Sequence, residues 1–206
     1  MTAETISTYR ADATIHPGWV RVSHWINALA ILVMIGSGWQ IYDASPLFHG
    51  LEFSKHIALG QWLGGALLWH FAAMWVLVIN GIVYVTLGLA TGRFKRKLLP
   101  IYPSEVVADA KAALAFRLAH DDLSHYNAVQ KVLYAGVILC GVLIVLSGLS
   151  IWKPVQFQEL TTLFGGYDIA RYVHFVAMSA IVGFLCVHVA LALLVPKSLR
   201  AMVTGR

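Results

Sequence analysis

Four long stretches without a charged residue constrain this chain more than any other feature of its sequence. Asp, Glu, Lys and Arg are all absent from residues 22–42, 56–92, 132–152 and 172–196. A transmembrane helix needs about 20 predominantly apolar residues, and each stretch reaches that length. The second stretch exceeds one membrane thickness, so part of it must lie outside the hydrocarbon. We therefore predict an all-α membrane protein with four spans. The spans are placed at about residues 20–42, 64–91, 128–152 and 170–195.

The composition agrees with a membrane-embedded chain. Of its 206 residues, 59% are hydrophobic and only 12% are charged, whereas a soluble domain carries about 25% charged residues. The first span starts too late, is too long and lacks the small-residue cleavage site expected of a signal peptide. Neither CxxC nor CxxCH occurs, so the usual signatures of zinc and of c-type haem are absent. We interpret Cys140 and Cys186, both inside spans, as small apolar filler.

The basic residues fall almost entirely on one side of the predicted spans. That side holds Arg10, Arg21, Arg93, Lys95, Arg96, Lys97, Lys111, Arg117, Lys131, Lys197, Arg200 and Arg206. The other side holds only Lys55, Lys153 and Arg171. Positive residues mark the cytoplasmic side, so we predict that both termini and the loop 93–127 are cytoplasmic. The net charge of +5 then reflects membrane topology and gives no reason to expect nucleic acid.

The order of the spans predicts a single domain, residues 1–206, folded as an up-down-up-down bundle. Residues 43–58 and 153–170 then face outward. Within the cytoplasmic loop, Ser104 resembles an N-cap before a helical pattern. We expect an amphipathic helix there, on the membrane surface.

Four of the nine histidines lie inside predicted spans, namely His24, His70, His174 and His188. An ionisable side chain in the bilayer is costly and marks function by default, although a neutral histidine can also hydrogen-bond a neighbouring helix. Counted from the charged ends of the spans at about 1.5 Å per residue, His24 and His188 share the cytoplasmic half of the membrane. His70 and His174 share the outer half.

The last span carries two of these histidines at a helical spacing. At about 100° per residue, His174 and His188 point to nearly the same side and lie about 21 Å apart along the helix. That helix can offer one ligand to each of two bis-histidine sites, completed by His24 inside and His70 outside. Neutral imidazole is a standard axial ligand of haem iron. Because sites closed on both faces suit electron transfer, we predict two haems b.

Other interpretations of the histidines are weaker. Zinc would need about four ligands at each site, often with cysteine or carboxylate, and each pair offers only two. His56 has the same spacing from His70, but it would lie about 21 Å beyond His70 and outside the hydrocarbon. We therefore place His49 and His56 in the outer loop, and His16 in a solvated tail. A small transporter with histidines as proton relays would bind no haem, and the matched depths disfavour it.

Glycines inside the spans could leave room for a flat macrocycle, or could serve ordinary close packing of helices. They are Gly36, Gly38, Gly64, Gly65, Gly141 and Gly148.

Four motifs carry a family resemblance. They are RVSHWINALA in span one, LLWHFAAMW in span two, HYNAVQK before span three, and RYVHF…HVALALLVPKSLRAMVTGR at the end. On these motifs, residues 20–206 resemble the bacterial two-haem cytochrome b subunits of membrane-bound Ni,Fe-hydrogenases and formate dehydrogenases (gamma subunit), which are cytochrome b561-like. The spacing of the two histidines in the last span is the most specific mark. His125, Val129 and the short basic tail depart from the family pattern, which leaves the donor complex open.

The resemblance implies a ligand set and a quinone site. The haem ligands would be His24 with His188 at the inner haem and His70 with His174 at the outer haem. Quinone would bind at Asn127, Gln130 and Lys131, with His125 nearby, although Asn127 equally fits an N-cap of span three. No residue is assigned a catalytic role.

The function implied by the resemblance is transmembrane electron transfer in the bacterial inner membrane. Electrons would pass between an extracytoplasmic iron-sulfur, molybdopterin or cytochrome subunit and the quinone pool, with quinone reduced or oxidised at the inner haem. The chain would then be an electron-transfer membrane anchor of an oxidoreductase, in contact with membrane lipid. The alternative is a stand-alone quinone-linked oxidoreductase, similar to the superoxide-oxidising cytochromes b561.

Overall fold

The computed structural model describes residues 15–98, 100–115 and 127–205, and this part of the chain is helical without a strand. Four helices are long: α1 (Gly18–Ala44), α2 (Leu63–Ala90), α5 (Ala128–Trp152) and α7 (Tyr167–Leu194). Four are short: α3 (Arg93–Leu98), α4 (Pro103–Leu114), α6 (Gln158–Leu163) and α8 (Pro196–Thr204). The predicted all-α fold class is therefore confirmed.

All four long helices are long and apolar enough to cross a membrane. Their large apolar side chains face outward: Leu29 is 68% exposed, Leu68 73% and Leu193 68%. A soluble protein rarely exposes apolar surface so continuously, whereas a bilayer solvates it. The prediction of four membrane spans is thus confirmed, and the chain is a multi-pass membrane protein.

The four spans pack as two hairpins. Helix α1 packs along α2, and α5 packs along α7, through backbone approaches that are far more extensive than those between the hairpins. The buried positions are mostly small, including Ala30, Ala66, Ala73, Ala170 and Ala177. Small residues let membrane helices approach closely, because lipid gives no hydrophobic drive for association. Between the two hairpins, side chains make most of the contacts.

An arginine joins the two hairpins at each end. At one end, Arg171 of α7 donates hydrogen bonds to the backbone carbonyl of Ser45 and, at 3.2 Å, to the Ser45 hydroxyl. At the other end, the Arg21 Nη1 atom of α1 donates to the Val203 carbonyl at 2.7 Å. These contacts link the end of α1 to α7 and the start of α1 to α8.

The segments before α1 and after α7 meet at the Arg21 end of the bundle. The Ile15 N–H donates to the Gly205 carbonyl at 2.9 Å, and Arg93 lies 3.3 Å from the Nδ1 atom of His16. The expectation that His16 belongs to a solvated tail is therefore wrong, because this residue packs against the protein. Both segments lie at one end of the bundle, as four antiparallel spans require. That this end is cytoplasmic stays a prediction.

At the opposite end, residues 45–62 fold back onto α1. The Leu59 N–H donates to the Gly36 carbonyl at 2.9 Å. A Cβ at Gly36 would lie 3.2 Å from the Cβ of Leu59, so glycine permits this close approach. Phe53 from the same loop stacks on Trp39 of α1, with ring centroids 4.8 Å apart. The space beside Gly36 is therefore occupied by the loop residues Ile57 and Leu59.

The expected helix after Pro103 is α4, whose Asp109 reaches the next span. Its Oδ2 atom accepts a hydrogen bond from the Ala128 N–H at 2.7 Å. Residues 116–126 lie outside the described residues, and they include His120 and His125.

Candidate functional site

Two pairs of histidine rings face each other between the hairpins. His24 of α1 and His188 of α7 have ring centroids 5.9 Å apart, with an angle of 63° between the planes. His70 of α2 and His174 of α7 have centroids 6.5 Å apart, at 57°. Each pair joins one helix of the first hairpin to α7. The structure therefore brings together the same histidines that the sequence analysis grouped by their depth in the membrane.

Helix α7 carries one member of each pair without interruption. It is continuous from Tyr167 to Leu194, so the rise of about 1.5 Å per residue separates His174 and His188 by about 21 Å. We call His70 and His174 the outer pair, and His24 and His188 the inner pair. The two pairs stand at different depths of one bundle.

The outer pair is held by two serines. The Ser37 Oγ atom of α1 lies 3.0 Å from Nδ1 of His70, and the Ser147 Oγ atom of α5 lies 3.1 Å from Nδ1 of His174. Both serines are completely buried. Each therefore comes from the other helix of its hairpin and bonds the ring that its partner helix presents.

A glycine follows each of these serines and borders the same ring. A Cβ at Gly38 would lie 3.5 Å from Cε1 of His70, and a Cβ at Gly148 would lie 3.3 Å from Cε1 of His174. The serine fixes one edge of each imidazole, and the glycine lets the ring lie close to the helix. The dipeptide Ser-Gly thus has the same role in both hairpins.

Aromatic contacts, by contrast, hold the inner pair. Phe184 stacks on His188 with centroids 5.6 Å apart at 13°, and Trp25 meets His24 edge-on at 5.2 Å. Among the residues that the structure describes, no hydrogen bond reaches either inner ring.

A buried asparagine ties α1 to α2 next to the inner pair. The Nδ2 atom of Asn80 donates to the Ser23 carbonyl at 2.9 Å and to Oδ1 of Asn27 at 2.7 Å. Ser23 directly precedes His24 in the chain. Asn80 therefore fixes the stretch of α1 that presents the inner ring.

The two pairs fit a metal held in a macrocycle better than a metal held by protein alone. Within residues 15–98, 100–115 and 127–205, no group of three or more His, Cys, Asp or Glu side chains could hold an ion. A metal bound linearly between two imidazoles, at about 2.0–2.1 Å from each nitrogen, places the ring centroids about 6.4 Å apart. The 6.5 Å between His70 and His174 matches this separation, and the 5.9 Å between His24 and His188 is slightly shorter than it. The residues present would therefore fit a b-type haem between the rings of each pair.

The residues predicted to bind quinone lie at the start of α5. Asn127 is the N-cap of α5, and its Oδ1 accepts from the Gln130 N–H at 2.7 Å. The Gln130 Oε1 atom accepts in return from the Asn127 N–H at 3.1 Å. Lys131 donates from Nζ to the Pro100 carbonyl at 2.9 Å. The N-cap interpretation of Asn127 is confirmed, whereas binding of quinone by these residues stays a prediction.

Sequence reasoning missed the serines and Asn80. One signal was present, since the dipeptide Ser-Gly occurs in two of the uncharged stretches, at residues 37–38 and 147–148. Without the helix partners, nothing in that dipeptide shows that it faces a histidine. Gly36, Gly64 and Gly65 border residues 57–62 of the outer loop, so only Gly38 and Gly148 of the predicted glycines border a histidine ring.

Comparison with known proteins adds two findings. The family model described as prokaryotic cytochrome b561 matches residues 15–205. A curated protein from Azospira oryzae, named putative protein-methionine-sulfoxide reductase subunit YedZ1, is 51% identical over 191 residues. The alignment covers 93% of this chain and 96% of that protein. No solved structure matches the chain.

Proposed function

The chain belongs to the prokaryotic cytochrome b561 family, and from this membership we propose which residues support its electron transfer. The protein is a multi-pass protein of the bacterial inner membrane that transfers electrons across it by b-type haem. Our finer proposal is that two haems b bind, one between His24 and His188 and the other between His70 and His174. The observation that carries this proposal is the two facing ring pairs, each with one member on the continuous helix α7.

The bound haem supplies a one-electron Fe(III)/Fe(II) couple. His24 with His188 and His70 with His174 would each hold one haem, and two imidazole ligands at each site would leave no position open to oxygen or substrate. The roughly 21 Å between ligands on α7 sets the distance between the two sites. The chain thus provides a fixed path from one membrane face to the other.

We propose an extracytoplasmic reductase subunit as the partner at the outer pair. The relative from Azospira oryzae is named as a subunit of a protein-methionine-sulfoxide reductase. By analogy, this chain would send two electrons outward for each sulfoxide reduced. Two electrons and two protons convert a methionine sulfoxide into the thioether and one water. The electrons would come from a quinol, whose oxidation to quinone releases two electrons and two protons.

The quinol is proposed to bind near the start of α5, close to the inner pair. The capping box uses the side-chain oxygens of Asn127 and Gln130, which leaves their amide nitrogens as donors for a quinone carbonyl. Lys131 adds a positive charge at the same helix end. Capping and quinone binding are therefore compatible at these residues.

A redox titration of the purified protein tests the ligand assignment. We expect two b-type components, with His174→Ala removing one of them and His188→Ala the other. His56→Ala is the matched control, because His56 is an exposed residue of the outer loop and it has the same spacing from His70. Loss of a component in His56→Ala, or a wild-type protein with one component or none, would contradict the proposal.

The proposed partner needs a second experiment. The protein is placed in liposomes with a reduced quinol and mixed with the methionine-sulfoxide reductase subunit of the same organism. We expect the b-type absorbance to be reoxidised only when that subunit and a sulfoxide substrate are both present. Reduction of the b-type haem in the isolated chain by superoxide, with two superoxide ions oxidised to O2 for each added quinone reduced to quinol, would favour the stand-alone oxidoreductase instead.

A further inference from the structure

We propose that Ser37 and Ser147 are positioning residues that hold both outer histidines in one tautomer, with Nδ1 protonated and Nε2 free to bind iron. The outer haem then has stronger axial donors than the inner haem. This inference rests on the proposed haem sites and adds to them a chemical difference between the two centres.

The number of available protons decides the tautomer of His70. A serine hydroxyl has one proton to donate. The Ser37 Oγ atom lies 2.6 Å from the Val33 carbonyl oxygen, a distance that two oxygens adopt only with a proton between them. Ser37 therefore donates to Val33 and can only accept at its 3.0 Å contact with Nδ1 of His70. It follows that Nδ1 carries the ring proton and Nε2 carries the lone pair.

The same proton count holds for His174. The Ser147 Oγ atom lies 2.7 Å from the Leu143 carbonyl oxygen and 3.1 Å from Nδ1 of His174. Ser147 thus donates to its own helix and accepts from the ring. One chemical arrangement recurs on two helices and serves the two rings that face each other. A neutral histidine that merely joins membrane helices would not require both rings to present Nε2 to the same gap.

The inner pair differs in this respect. In the part of the chain that the structure describes, His24 and His188 are held by ring contacts with Trp25 and Phe184 and receive no hydrogen bond. A ring without a hydrogen bond at Nδ1 is a weaker and less oriented donor, because such bonds raise ligand basicity and fix ring orientation. Within the described residues, the two proposed haem sites therefore differ in the hydrogen bonds made by their histidine rings.

The direction of the effect follows from the charge on iron. A histidine that donates its Nδ1–H bond places more electron density on Nε2, and that density stabilises Fe(III) over Fe(II). The serine oxygen is itself a better acceptor, because its proton is engaged with a carbonyl and hydrogen bonds in a chain polarise one another. Ser37 and Ser147 should therefore lower the midpoint potential of the outer centre.

The test uses Ser37→Ala, Ser147→Ala and the double variant in the purified full-length protein. The outer component is the one that His174→Ala removes. We expect its midpoint potential to rise in each single variant and to rise further in the double variant, with the inner component unchanged. The ferric EPR spectrum should change for the outer component only, because it reports the angle between the imidazole planes. Haem affinity at that site should fall by about 10- to 100-fold, as is typical when a metal-binding histidine loses its hydrogen-bond partner.

Ser150→Ala is the matched control. Ser150 lies on α5, is as fully buried as Ser147, and donates to the Leu146 carbonyl at 3.2 Å without contacting a histidine. Ser37→Thr and Ser147→Thr are the second arm of the test, since Thr keeps a hydroxyl that can bond the carbonyl one turn back. The midpoint potential and EPR spectrum of the outer component should be closer to wild type in these variants than in the alanine variants. This comparison still tests the inference if the alanine variants fold poorly.

Three results would overturn the inference. They are an outer potential and EPR spectrum unchanged in the double alanine variant, equal shifts in both components, and a Ser150→Ala effect as large as that of Ser147→Ala. Failure of the proposed function would look different, because the redox titration of the wild-type protein would then show fewer than two b-type components.

Discussion

Gly148 lies so close to the His174 ring that an added Cβ would be 3.3 Å from Cε1. The corresponding distance from Gly38 to His70 is 3.5 Å, which is ordinary van der Waals contact. The two equivalent glycines therefore differ in how much space they leave, although each follows a serine that bonds its ring.

Gly148→Ala should displace the His174 ring, whereas Gly38→Ala should be nearly silent. Overpacking of this kind typically costs about 1–3 kcal/mol. We expect Gly148→Ala to bind less haem at the outer site and to alter its ferric EPR spectrum. Gly141→Ala on the same helix is the control, because nothing lies within 4 Å of its Cβ position. An equal loss in Gly38→Ala and Gly148→Ala would contradict the geometry.

Asn80→Ala should weaken the packing of α1 on α2 and disturb the inner centre. Asn80 is 9% exposed, and its side chain donates hydrogen bonds to Ser23 and Asn27 of α1. Hydrogen bonds between membrane helices contribute about 0.6 kcal/mol on average and up to about 1.7 kcal/mol. Thermal unfolding in detergent should therefore shift to lower temperature. The inner component should be lost before the outer one on heating, and the reverse order would contradict the assignment.

Two variants of Asn127, the N-cap of α5, can distinguish its role in capping the helix from a role in binding quinone. Asn127→Ala removes the cap and should destabilise the protein by about 0.5–2 kcal/mol. Asn127→Ser keeps an oxygen that can cap the helix but loses the amide donor. If quinol binds at Asn127, the Ser variant should keep wild-type stability and oxidise quinol more slowly. Wild-type quinol oxidation in the Ser variant would remove Asn127 from the proposed site.

Gly36→Ala should push the outer loop away from α1. Its Cβ would lie 3.2 Å from the Cβ of Leu59 and 3.3 Å from the Ile57 carbonyl oxygen. We expect faster limited proteolysis within residues 45–62, since the Leu59 hydrogen bond to Gly36 is weakened. Gly81→Ala is the control, because nothing lies within 4 Å there and alanine favours a helix over glycine by about 1 kcal/mol. Equal proteolysis of both variants would show that the loop does not depend on Gly36.

The sequence predicted the membrane-spanning character because hydrophobicity is a local property. Uncharged stretches of sufficient length must be helical in lipid, where each backbone group needs an internal partner. Relative depth is also local, since it depends only on a fixed rise per residue and on where charges begin. This is why His70 could be grouped with His174, and His24 with His188, before any contact was known.

Contacts that depend on helix rotation and loop path could not be read in the same way. His16 was placed in a solvated tail, but it packs beside Arg93, because the segments before and after the spans meet at one end. For Gly36 the sequence left clearance for a macrocycle and close helix packing both open, and the structure shows that it borders a loop that returns along α1. For Asn127, the sequence left capping and quinone binding equally open, and the hydrogen bonds to Gln130 show the cap.

The sequence by itself determined that this chain crosses the membrane four times and carries two histidines at each of two depths. Only the tertiary structure decided that the paired rings face each other, that Ser37 and Ser147 bond the outer pair, and that aromatic rings hold the inner pair. The physical reason is that burial and rise are properties of one helix. A ring-to-ring distance or a serine–histidine hydrogen bond requires the rotation of two helices about their axes, which only their mutual packing fixes.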